Sequence, residues 1–295
     1  MTNEPQEKTT GASPLSAEAS TPARLYGALG DGKDHFKVDQ TNAAALDEIL
    51  PGMRLIVPDN RACLRRMVAT AADLGIRQYI DLGSGLPDQP PNLHEVAQRT
   101  VKDARFIYVD NDPMVCTHGR ALLQGGGVTM IEADARDIDA LYRTYELLSV
   151  IETGRPVCVV LGAILHFFTD DEVKQVMEAL DDFLAPGSLL LVTHATSDQP
   201  HYQPEQVQAA RLAYEEQTGA RLYLRSVQQI ADLVLPGCVP LRPGLVTTAA
   251  WHPDYEYGPA QIPPAPYFMA VAAQVRHDVE NRQYFLLDAA RKAEQ

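Results

Sequence analysis

From Gln78 onward, short apolar runs alternate with helical stretches, and this alternation restricts the chain to a sheet of parallel βαβ units. The runs fall at about 78–82, 105–110, 128–132, 157–163 and 188–194, separated by helical stretches at 92–101, 113–123, 137–149 and 170–184. Thr169 and Asp170 are candidate caps for the last of these, and Pro186-Gly187 is its stop. Further helices are expected at 204–218 and 226–234, and late strands at 244–251 and 267–275 forming an antiparallel edge.

The first strand runs through Tyr79, Ile80, Asp81 and Leu82 into Gly83-Ser84-Gly85. Glycines there allow a sharp turn and a close approach of backbone to ligand. The second strand ends in Asp110, whose carboxylate can accept both hydroxyls of a ribose. Gly85 and Asp110 stand 25 positions apart, more than the usual ~20, and the insertion at 87–92 accounts for the excess. A third strand leads to Asp134 and Ala135. The Asp134 carboxylate suits the amino group of adenine, although it could instead cap a helix beginning near Asp137.

A dinucleotide turn would carry a third glycine where this chain has Asp88. A carboxylate repels a pyrophosphate but tolerates S-adenosylmethionine, which has no phosphate and carries sulfonium and ammonium groups. Asp81 can face that ammonium. These residues favour S-adenosylmethionine over NAD. Ligands of such sheets sit beyond the carboxyl ends of the strands. One crevice should therefore hold Gly83, Ser84, Gly85, Asp110, Asn111, Asp134, Ala135, Gly162, Ala163, His166 and His194.

With 295 residues, 45% of them hydrophobic and 22% charged, the chain has the composition of a globular protein with a sizeable core. Its net charge of −14 opposes nucleic acid as a partner. No apolar run approaches the ~20 residues of a membrane span. Without a secretory pattern at the start, the expected location is cytoplasmic. The four cysteines are scattered and suggest neither zinc nor disulfides, so no metal is expected. Nothing in the sequence sets the oligomeric state; a homodimer is compatible with it.

Four segments are expected: a disordered lead at 1–21, an N-terminal helical cap at 22–76, the α/β domain at 77–275 and a helical tail at 276–295. In the cap, 23–39 reads as a loop or broken helix, followed by helices at 40–50 and 59–74, with Asp59 as N-cap of the second. Arg61, Arg65 and Arg66 read as the solvated face of that helix. A proline-rich loop occupies 259–266, and Gly125-Gly126-Gly127 reads as a flexible connection. His94-Glu95 lacks the second histidine of a zinc helix and reads as an ordinary helix start.

The chain resembles the class I S-adenosylmethionine-dependent methyltransferases, and within them the S-adenosyl methyltransferase family, once classed as a domain of unknown function. The matching motifs are Gly32-Lys33-Asp34-His35-Phe36, Asn60-Arg61-Ala62-Cys63-Leu64, the stretch from Gly75 to Pro87, His94 to Ala97, Tyr108 to Pro113, Leu165-His166-Phe167 and Thr193-His194-Ala195. The resemblance covers about 22–275. It implies a Rossmann-like, doubly wound, seven-stranded sheet with six parallel strands and the last antiparallel. It further implies that Gly83, Ser84 and Gly85 approach the methionine part of the cofactor, Asp110 the ribose and Asp134 the adenine, while Tyr26, Lys33 and Asn60 or Arg61 close over it. The chain departs from the family's glycine-rich last strand, with Tyr267-Phe268-Met269-Ala270 in its place.

The expected activity is methyl transfer to a small aromatic or heterocyclic specialised metabolite, on carbon, nitrogen or oxygen, an indole being one option. His166 and His194 are the candidate bases, with Tyr26 a third catalytic candidate. Tyr26, Phe36, Tyr202, Tyr214, Tyr223 and Trp251 are candidate aromatic walls. Two other readings stay open: a non-catalytic S-adenosylmethionine-binding sensor or partner protein, and an NAD-dependent oxidoreductase. The latter is disfavoured by Asp88 and by the lack of a Tyr-x-x-x-Lys pair.

Overall fold

The computed structural model describes residues 17–87, 89–123, 126–253 and 265–275. The expected lead up to residue 16, the helical tail from 276, Asp88, Gly125 and most of the proline-rich loop lie outside the described residues. In chain order the strands are β1 (Gln78–Leu82), β2 (Arg105–Asp110), β3 (Val128–Glu132), β4 (Cys158–Gly162), β5 (Leu189–Ala195), β6 (Cys238–Pro240), β7 (Val246–Thr247) and β8 (Phe268–Val275). They form one sheet in the order β3-β2-β1-β4-β5-β8-β6. The first five are parallel; β8 runs against β5, and β6 against β8. The path therefore has six co-directional strands and one reversed strand, as expected, with the two-residue β7 added alongside β8.

The expected late edge differs in detail. The strand at 267–275 lies inside the sheet, and of 244–251 only Val246–Thr247 is strand, followed by a 3-10 turn at Thr248–Ala250. The true edge is β6, too short to show an alternating pattern. Its Pro240 is tolerated because an edge strand has an unpaired side.

Strand side chains alternate between faces. Ile80, Leu82, Ile107, Val109, Val159 and Leu161 enter one core, and Tyr79, Phe106, Tyr108, Cys158 and Val160 the other. Both faces are covered, which is why these strands read as nearly continuous apolar runs. Helices α4 (Leu93–Thr100), α5 (Pro113–Leu122), α8 (Asp170–Phe183), α9 (Pro204–Thr218) and α10 (Val227–Val234) fall where expected. Thr169 caps α8, accepting from the Glu172 amide at 3.2 Å. The stretch 137–149 divides into α6 (Ile138–Leu141) and α7 (Tyr145–Val150), because Thr144 caps a new helix by accepting from the Leu147 amide at 3.3 Å. No helix among the described residues is long and apolar enough to cross a membrane.

The cap consists of α1 (Pro22–Leu29), α2 (Lys37–Ile49) and α3 (Met53–Asp73), so 23–39 is a broken helix. Two expectations are corrected here. Asp59 is not an N-cap: α3 starts at Met53 after Gly52 and runs through Pro58, leaving Asp59 buried within it. The three arginines do not form a solvated face. Arg61 faces the cavity described below; Arg65 donates to the Gln89 and Pro91 carbonyls at 2.7 and 3.0 Å; Arg66 is fully buried. Arg66 donates to the Trp251 carbonyl at 2.7 Å and the Thr248 carbonyl at 2.6 Å, while the Thr248 hydroxyl donates to Asp59. Trp251 thus belongs to the core under α3, not to the cavity wall.

Removing Arg66 strands two carbonyls and leaves the Asp59 carboxyl without its nearby cation. Arg66→Leu should lower the unfolding free energy by about 3 kcal/mol, the low end for a broken buried charged cluster, measured by urea denaturation.

Candidate active site

The carboxyl ends of β1, β2, β3 and β4 open on one cavity of about 780 Å³, roofed by the cap helices and α9. Its floor is set at the end of β1. Gly83 and Gly85 take φ of +72° and +66°, the left-handed region open to glycine. A Cβ on Gly83 would lie 2.6 Å from Ile164 Cδ1. The Gly83 and Ser84 amides donate to the Val109 carbonyl at 2.8 and 3.1 Å, which folds the turn over the end of β2. There the Asp110 carboxylate accepts from the Gly85 and Asp112 amides, each at 2.9 Å.

Burial raises the pKa of Asp110, and those two amides oppose the rise. Asp81 has weaker compensation. Burial, and then the neighbouring Asp110, push its carboxyl up to about 7, against the pull of Arg61. The Asp134 carboxyl is lowered by Arg136, whose Nη2 donates to it at 2.6 Å. Arg136 also reaches Glu172 at 3.5 Å. Asp137, not Asp134, caps α6, accepting from the Ala140 amide at 3.0 Å.

Of the expected cofactor residues, Tyr26, Arg61, Asp81, Gly83, Ser84, Gly85, Asp110, Asn111, Asp134, Ala135, Gly162 and Ala163 all line the cavity. Asn60 stands behind the lining, its side-chain amide donating to the Tyr26 hydroxyl at 2.8 Å. Lys33 is not brought in. It is exposed on the link between α1 and α2, outside the lining.

His166 lines the cavity, on a 3-10 turn after β4. His194 does not line it. Its Nδ1 lies 2.6 Å from the Ala195 carbonyl, and its Nε2 lies 2.9 Å from Arg225 Nη1. Burial lowers its pKa to about 4, with Arg225 adding to the effect and the Ala195 carbonyl opposing it. With both nitrogens engaged, it is unsuited to act as a base. Of the expected aromatic walls, Tyr26, Tyr214 and Tyr223 line the cavity, and Phe36, Tyr202 and Trp251 do not. Phe167, Phe168 and Phe268 take their place. Arg136, Glu172 and Arg225 had no sequence signal of their own, beyond Glu172 lying three residues after a cap.

The site fits a compact, partly cationic nucleoside. Its turn has no Cβ at Gly83 or Gly85, two carboxyls lie close together, and the buried Ser84 hydroxyl oxygen has no partner among the described residues. With this strand order, these features define a class I S-adenosylmethionine-dependent methyltransferase. Residues 8–276 match the S-adenosyl methyltransferase family, and the chain belongs to it. S-adenosylmethionine, not NAD, is its cofactor, and it is an enzyme.

Two solved structures are similar. One, from Thermobifida fusca YX, carries a methyltransferase assignment; it is 35% identical, covering 90% of this chain and 97% of that one, with a TM-score of 0.80. The other is a DUF574 family protein from Streptomyces avermitilis MA-4680, 30% identical over 88% of this chain and 98% of that one, also with a TM-score of 0.80. No curated protein matches.

Asp81 yields a stability test. Its folded pKa of about 7 exceeds the unfolded ~3.9. Its contribution is thus full below the unfolded pKa and is lost as pH rises through the folded one. Asp81→Asn should equal wild type at low pH and become progressively more stable than it up to about pH 7, by at most ~1.4 kcal/mol per pH unit. Urea unfolding at a series of pH values measures this.

Proposed function

We propose that this enzyme methylates a small, flat aromatic or heterocyclic molecule on carbon, nitrogen or oxygen. The observation that carries this reading is the aromatic end of the cavity. Phe167 and Phe268 stand 4.6 and 5.6 Å from the His166 ring, and Tyr214 stands 6.3 Å from Phe167, with Tyr26 and Tyr223 also in the lining. Such a wall favours a ring that can stack. The total volume of about 780 Å³ is within the ~300–1,000 Å³ of small-molecule sites.

The opposite end is assigned to the cofactor. Gly83, Ser84 and Gly85 would take its methionine part, Asp81 its ammonium, Asp110 the ribose, and Asp134 with Ala135 the adenine. When bound, it supplies a methyl carbon already activated by a sulfonium sulfur. The chain then has to orient the acceptor and exclude water; orientation alone can supply on the order of 7–11 kcal/mol. Tyr26 suits that task. Asn60 donates to its oxygen at 2.8 Å, and burial raises its pKa. The phenol stays protonated at neutral pH and offers its own hydrogen to a ligand.

Calorimetric titration with S-adenosylmethionine tests the cofactor end. Wild type should bind it and not NAD. Asp110→Ala should weaken binding at least ~10-fold through loss of a charge-assisted contact. Gly83→Ala should do the same through its clash with Ile164. Unchanged affinity in both variants would overturn the assignment. Turnover with a panel of aromatic acceptors, followed by mass increase, tests the other end.

A further inference from the structure

The turn that carries His166 is gripped from behind by Arg225, which is buried in the link between α9 and α10. Its Nη1 donates to the Leu165 carbonyl at 3.1 Å and to His194 Nε2 at 2.9 Å. Its Nη2 donates to the Phe168 carbonyl at 2.7 Å, and Nε and Nη2 both reach Asp170, at 2.9 and 2.7 Å. Leu165 and Phe168 flank His166, so the turn is held on both sides.

This grip has a direction. A guanidinium only donates, so His194 Nε2 accepts, and the His194 hydrogen must sit on Nδ1, donating to the Ala195 carbonyl at 2.6 Å. The same residue's amide donates to His166 Nδ1 at 3.3 Å. His166 Nδ1 is therefore an acceptor, and its hydrogen belongs on Nε2. That nitrogen makes no hydrogen bond among the described residues, and the residue lines the cavity.

We propose that His166 is a hydrogen-bond donor to the methyl acceptor rather than its base, that Arg225 is the positioning residue that holds it so, and that the acceptor is an aromatic molecule presenting a carbonyl, phenolate or unprotonated ring nitrogen beside the methylated atom. The proposal rests on the cavity being the acceptor site. In the transfer, a lone or π pair of the acceptor forms the bond to the methyl carbon as the carbon–sulfur bond breaks. The pair of that bond stays on sulfur, and any proton on the methylated atom leaves to water. The charged and titratable groups around His166 agree. Burial, then His194 from β5, then Arg225 all hold its pKa well below the usual imidazole value, while Asp170 from α8 is paired to Arg225.

The test is long-range proton–nitrogen correlation NMR of the full protein with labelled histidines, from about pH 5 to about pH 8, the range in which a free imidazole titrates. His166 is expected to stay neutral with its hydrogen on Nε2, and His194 with its hydrogen on Nδ1. A His166 that carries its hydrogen on Nδ1, or protonates in this range, overturns the donor role. In Arg225→Lys, and in Asp170→Ala, which frees Arg225 from its exposed carboxylate partner, the His166 nitrogens should shift towards a tautomer average. Unchanged His166 signals in a folded variant overturn the positioning role, and Asp170→Ala keeps that test open if Arg225→Lys does not fold. Added quinolin-4-one should shift the Nε2 proton where naphthalene does not; no response to the quinolinone overturns the acceptor class. The spectra need no cofactor, so a failure of cofactor binding is distinguishable from a failure of this proposal.

Discussion

The hydrogen bond from the Gly85 amide to the Asp110 carboxylate, 2.9 Å long, joins the two strand ends on which the site is built. β1 and β2 are adjacent and parallel, in a register that sets Asp81 against Tyr108 and Leu82 against Val109. Two carboxyls thereby meet in a place that water scarcely reaches. A buried carboxylate is costly unless donors surround it. The turn supplies one donor at Gly85, and the start of α5 supplies another at Asp112. Pointing the first inward uses a left-handed backbone at both Gly83 and Gly85, and the passage beneath Ile164 further requires a bare backbone at Gly83. Asp81, which gains less from its neighbours, is left with an electrostatic demand that a cationic ligand can meet.

The cap is bonded to this turn and is not merely laid over it. Gln89, just beyond the turn, donates to the Gly30 carbonyl at the end of α1, and Arg65 of α3 donates to the Gln89 carbonyl at 2.7 Å. Within the cap, Arg24 and Asp39 form a buried pair at 3.6 Å, and Asp39 also accepts from the Phe36 amide at 2.7 Å. Asn60 ties α3 to Tyr26 of α1. Such a roof covers the cavity floor, where Asp81 and Asp110 are buried. Burial of this kind strengthens the hydrogen bonds and charge interactions among these groups.

The sheet was legible because its periodicity is local: β1 to β5 and most helices between them announce themselves within short windows. Asp81, Asp110 and Asp134 were legible for the same reason, since each lies within two residues of the carboxyl end of a strand. What escaped the sequence depends on contacts far apart along the chain. Arg66 meets Trp251 across 185 positions and Thr248 across 182, so a helix face that reads as solvated becomes core. Asp59 looks like a cap only if Pro58 is assumed to end the preceding structure; α3 forfeits the one amide that proline lacks and continues. His194 has the strand-end position of a catalytic base, and nothing nearby in sequence reveals that Arg225, 31 positions on, occupies its free nitrogen. Lys33 shows the opposite case. Its motif resembles the family's, but its side chain is exposed and lies outside the cavity lining.

Arg225 also joins several of the segments that meet at the aromatic end of the cavity. Thr196 and Arg225 form an isolated parallel bridge, and the Thr196 hydroxyl donates to the Arg225 carbonyl at 2.9 Å. Two residues earlier, the Tyr223 amide donates to the His166 carbonyl at 2.7 Å. The aromatic segment around Tyr223 is therefore hung on the same backbone that carries His166, and both are referenced to the end of β5. A guanidinium has the fixed, planar set of donors that such a junction needs. A lysine offers a single rotating point charge and could not bridge two carbonyls, an imidazole and a carboxylate at once. The donor and the Tyr223 part of the wall that would stack on a ring are thus referenced to one buried side chain, while Phe268, Tyr214 and Tyr26 reach the same end from β8, α9 and α1.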